Sequence, residues 1–74
     1  MNLAEIYVAL PSDVAAKLEE LLNNIQLPKD PSRAEVRAAA KVLAIELRHA
    51  TFQQDDAVLG LIDQLPDAIV DQLF

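Results

Sequence analysis

Apolar residues in the first half of the chain return at helical intervals. Val14, Leu18, Leu21, Leu22 and Ile25 fall within about 100° of one another at 3.6 residues per turn, and Asp13, Lys17, Glu19, Glu20, Asn23 and Asn24 lie outside that stripe. The spacing predicts a one-faced amphipathic helix after Pro11, with Ser12 as N-cap, Asp13 in the first turn and an end near Gln26. The stretch Leu27-Pro28-Lys29-Asp30-Pro31 reads as a proline-bracketed connection, because the residue before each proline is pushed out of the helical region. Ser32-Arg33-Ala34-Glu35 then has the form of a capping box and predicts a second helix to about Ala50, rich in strong helix formers.

The second helix carries two apolar stripes. Val36, Ala40, Leu43 and Leu47 form one, and Ala38, Val42 and Ile45 form another on roughly the opposite side. A helix apolar on two sides must be covered on two sides, so residues 32–50 are expected at the centre of the fold, sandwiched between other helices or shared across a dimer axis. After a break at Thr51 to Gln54, Asp55 and Asp56 open a third helix with Val58, Leu61, Ile62 and Leu65 apolar. Gly60 inside it costs about 1 kcal/mol relative to alanine and is expected to mark a close helix contact. Pro66 starts a last short helix with Ile69, Val70, Leu73 and Phe74 apolar, and this hydrophobic end is expected to dock on the body or on a partner. The N-terminal piece is ambiguous: Leu3, Ile6, Tyr7 and Leu10 have helical spacing, whereas Ile6, Val8 and Leu10 alternate as in a half-buried strand.

The expected architecture is therefore all-α, one domain over residues 1–74, a compact bundle of three to four short helices around the two-faced helix. Residues 3–10 would add another if helical. Composition sharpens this in three ways. Hydrophobic residues are 53% of the chain, which argues against disorder, but only Tyr7, Phe52 and Phe74 are aromatic, so the core must be aliphatic. The absence of cysteine removes disulfide staples and thiolate chemistry and fits a reducing, cytoplasmic setting. A small unstapled core is often completed by a second copy, so a homodimer is expected. No window has the ~18 uncharged apolar residues of a membrane span, and no secretory signal is read at the N-terminus.

Candidate chemistry is sparse. His49 lies beside Arg48 in the last turn of the second helix, where a partly positive side chain is favoured by the helix dipole, and no nucleophile accompanies it. Ser12 and Ser32 are accounted for as caps. Asp55, Asp56, Asp63, Asp67 and Asp71 crowd the last third without calcium-loop spacing, and a single glycine cannot build a phosphate loop. No enzyme activity, cofactor or metal is expected. The net charge of −6 is unevenly spread: Arg33, Arg37, Lys41 and Arg48 are four of six basic residues and share one stripe of the second helix. That stripe could grip phosphates or an acidic partner, or be neutralised by nearby carboxylates.

The run Glu5-Ile6-Tyr7-Val8-Ala9-Leu10-Pro11-Ser12-Asp13, an amphipathic helix, and then Ser32-Arg33-Ala34-Glu35-Val36 resemble a ribbon-helix-helix protein. The resemblance covers residues 5 to 48. It implies a dimer with an N-terminal strand over residues 5–10, Glu5, Tyr7 and Ala9 at DNA-facing positions, and, as in antitoxins of that family, a toxin-binding segment over residues 51–74.

Three functions follow as expectations. The leading one is an acidic protein-protein interaction module that binds through Ala38, Val42 and Ile45 or through Ile69, Leu73 and Phe74, the apolar groups hardest to bury within one copy. The second is a ribbon-helix-helix regulator or antitoxin. The third is an acidic nucleic-acid mimic that would occupy a basic groove on its target; nucleic acid itself is an expected partner only under the second.

Overall fold

The computed structural model describes residues 1–74 and contains five α-helices and no strand: α1 Leu3–Ala9, α2 Ser12–Asn23, α3 Arg33–Ala50, α4 Asp56–Asp63 and α5 Leu65–Leu73. The chain is an all-α bundle. Local signals start most of these helices. The Ser32 hydroxyl accepts from the Glu35 N–H at 3.1 Å and the Glu35 carboxylate accepts from the Ser32 N–H at 3.0 Å, closing the expected capping box. Asp55 caps α4 by accepting from the Ala57 N–H at 2.9 Å.

The N-terminal piece is helical. Asn2 and Glu5 form a second capping box, with reciprocal bonds of 2.8 and 3.1 Å. Once that turn is set, Leu3, Ile6 and Leu10 point to the core at i, i+3, i+7 spacing, while Val8 turns outward and is 83% exposed. The ribbon-helix-helix expectation of a strand over residues 5–10 therefore fails, and Glu5, Tyr7 and Ala9 lie on a helix.

Three further expectations need correction. Ser12 is the first residue of α2 and not its cap: Pro11 occupies the cap position, its carbonyl accepts from Ala15 N–H at 2.8 Å, and no side chain caps the helix. The helix ends at Asn23, short of Gln26, where the Asn24 amide turns back onto the Glu20 carbonyl at 3.0 Å and leaves Ile25 half-buried outside the helix. Gly60 marks no close contact, since a methyl group there would meet nothing within 4 Å.

One continuous core of 16 buried residues draws on all five helices. Leu18, Leu47, Ile62 and Leu65 are among its fully buried side chains, each contributing roughly 1.5–3 kcal/mol by leaving water. The core has no polar or charged member, so it rests on aliphatic packing alone. α3 spans the bundle, packed against α5 and, to a lesser extent, α2 and α4. All three neighbours meet its inner face of Val36, Ala40, Leu43, Ala44 and Leu47, so the expected sandwich between helices is not formed.

Candidate functional site

Helical rotation places Ala38, Val42 and Ile45 directly opposite that inner face, and all three are exposed, Val42 to 55% and Ile45 to 58%. They form an apolar ridge along a rigid helix, continued at one end by Ala34 and at the other by His49, both exposed. Charge divides across the ridge. Lys41 and Arg48 run along one flank, with Arg33 and Arg37 beyond them, and Glu35 and Glu46 run along the other. Next to the Glu46 flank a groove of about 350 Å³ opens between α2 and α3, lined by Leu21, Ile25, Ala39, Val42, Leu43 and Glu46.

The basic stripe is only partly neutralised. Arg37 reaches the Asp67 carboxylate on α5 at 2.7 Å, and the Arg33 guanidinium lies 5.6 Å from the centre of the Phe74 ring, a cation–π distance. Lys41 and Arg48 make no ion pair, and neither does Glu46. α3 thus holds four of the six cations and two of the twelve carboxylates, which makes it a positive strip on an otherwise acidic molecule. The Ser32 N–H, and then its hydroxyl, hold the Glu35 carboxyl below its ordinary value of 4.5, because both bonds favour the ionised form.

Of the C-terminal residues expected at a partner surface, Leu73 and Phe74 are exposed. Ile69 is not. It is 4% exposed and belongs to the core, because α5 is covered by both α1 and α3 and turns Ile69 and Val70 inward together. The last half-turn of α5 instead borders an apolar groove of about 240 Å³ with Leu3, Leu22, Ile25 and Leu27 in its walls. This groove runs on past Tyr7 and Val8 of α1. The Tyr7 hydroxyl donates to Glu19 at 3.0 Å, tying α1 to α2; that bond, the Glu19 charge and slight burial raise the phenol above its ordinary 10.0.

Phe52 escaped the reading of residue types and spacing. It is 86% exposed and follows the C-cap of α3 with a φ of 50°, the left-handed conformation that glycine and asparagine adopt easily and a phenylalanine adopts at a cost of about 1 kcal/mol or more. The available signal was an aromatic residue in the turn that ends a helix, at the position where glycine is common. Phe52 lies beside Arg48 and His49 at the end of the apolar ridge.

The five C-terminal aspartates do not converge: no group of three or more carboxylates or histidines is placed to hold one ion. No helix is long and apolar enough to cross a membrane. No family model, curated protein or solved structure matches the chain.

Proposed function

We propose that this protein is a non-catalytic protein-protein interaction module and that its binding surface is the outer face of α3. The observation that carries this reading is the half-exposed pair Val42 and Ile45 on a helix whose opposite face is core. Two large aliphatic side chains held in water by a rigid rod gain nothing for a lone copy, whereas a partner that covers them gains apolar burial at little conformational-entropy cost. The surface is an apolar ridge on a helix, of the kind that lays into a groove or against another helix, and its charged borders supply orientation. Leu73 and Phe74 offer a second, smaller apolar patch.

The test uses two substitutions in the full chain. Ile45→Asp is expected to preserve the circular dichroism spectrum and thermal transition and to abolish binding of proteins captured from a native extract. Leu73→Asp is expected to preserve both the fold and most of that binding. Loss of fold in Ile45→Asp, or full retention of the captured set, would overturn the reading.

A further inference from the structure

We infer that the partner of the α3 face is a second copy of this chain, paired in parallel through α3 itself. The inference rests on the interaction face proposed above and adds its occupant and orientation.

The ridge follows a coiled-coil register. Ala38, Val42, Ile45 and His49 are separated by four, three and four residues, so Ala38 and Ile45 take d positions and Val42 and His49 take a positions. The flanking positions follow from that assignment. Lys41 and Arg48 fall at g, and Ala39 and Glu46 fall at e.

The charges select the orientation. In a parallel two-fold pair a g residue faces the e residue five places further along the other helix, which sets Lys41 of each copy against Glu46 of the other. Both are exposed, and both lack an ion-pair partner within one copy. An antiparallel two-fold pair would instead set g against g and bring Lys41 and Arg48 of one copy against the same cations of the other. The parallel arrangement therefore pairs Lys41 with Glu46 and leaves Arg48 and Glu35, the latter an a position seven residues before Val42, without an opposite charge, whereas the antiparallel one opposes the like charges of Lys41 and Arg48.

Two further observations fit the same geometry. The groove between α2 and α3 lies on the Glu46 side, with Ala39 and Val42 in its wall, where the aliphatic stem of the other copy's Lys41 must pass to reach Glu46. Phe52 stands seven residues after Ile45, one step beyond the helical register, and a parallel pair brings both copies of this strained, exposed ring to the same end. His49 at an a position meets its own counterpart, and a polar a residue of this kind fixes register at some cost in affinity. With only about two heptads in contact the dimer is a weak one, forming at roughly tens to hundreds of micromolar.

Sedimentation equilibrium of the full chain from about 5 µM to 1 mM at low salt tests the pairing, with Lys41→Glu, Glu46→Lys, the double exchange and Ile45→Asp beside the wild type. The wild type is expected to dimerise and Ile45→Asp to remain a folded monomer. Each single charge reversal should weaken the dimer about three- to tenfold by facing like charges, and the double exchange should restore it to within about twofold. Tighter association of Lys41→Glu would show an antiparallel pair and overturn the inference, as would a double exchange no better than the singles. A wild type monomeric throughout would also overturn it, while leaving the α3 face as a surface for a different protein, which the capture comparison of Ile45→Asp and Leu73→Asp judges separately.

Discussion

The inner and outer faces of α3 are made of similar residues and do opposite things. Val36, Leu43 and Leu47 on one side and Val42 and Ile45 on the other are all aliphatic, lie on the same eighteen-residue helix and share its capping box. The first group is nearly inaccessible, and the second is more than half exposed. Side-chain chemistry therefore does not distinguish core from exposed surface here; the distribution of the other helices does, because α2, α4 and α5 all pack on one side of the rod. α3 contributes to the core only through its inner face, so substitutions on the outer face should leave the fold intact.

The largest expected effect falls on the inner face. Leu47→Ala should cost about 2–5 kcal/mol, through lost burial and a cavity the rigid helix cannot close. A domain of this size has roughly 3–5 kcal/mol in total, so thermal melting of this variant should show a chain largely unfolded at 37 °C. A variant that melts within a few degrees of wild type would remove the distinction between the faces.

Next comes the end of the outer ridge. Phe52→Gly relieves the left-handed strain and should stabilise the isolated chain by about 1 kcal/mol in urea denaturation, while weakening self-association. Stabilisation without any loss of association would separate Phe52 from the contact surface. The same contrast recurs in α4, where Val58 and Ile62 are buried and Gly60 faces open space. Gly60→Ala should therefore add about 0.8–1 kcal/mol, read as a rise in melting temperature, and a fall would mean that the α4 surface is occupied.

The smallest effect concerns the start of α3. Because Glu35 titrates below its ordinary 4.5, its capping bonds stabilise the fold at pH above that value and are lost as pH falls through the lowered one. An NMR titration should place the Glu35 midpoint below 4.5, and Ser32→Ala, which removes the hydroxyl but keeps the backbone N–H, should raise it only part of the way back.

Much of the fold was legible from residues whose signals are local. The Ser32 and Glu35 box, the Asp55 cap and the twofold apolar pattern of residues 36–47 each act within a few positions, and α3 runs where they place it. The misses have a different cause. The segment 3–10 is too short for its period to decide, and the Asn2 and Glu5 box, which settles it, lies at its first residues. Ile69 and Gly60 depend on which side of α4 and α5 meets the rest of the bundle, information that no single helix contains. For the candidate site, Ala38, Val42 and Ile45 were recognisable as a separate stripe. Their exposure, and the unpaired state of Lys41 and Glu46 beside them, required the tertiary arrangement.

Urea denaturation of wild type and Ile45→Asp at about 5 µM and again near 1 mM measures both faces at once. If the outer face is a contact surface between copies, the two midpoints coincide at low concentration, and only the wild-type midpoint rises at high concentration. A lower midpoint for Ile45→Asp at 5 µM would make Ile45 part of the core, and a wild-type midpoint independent of concentration would leave α3 without a second copy on its outer side.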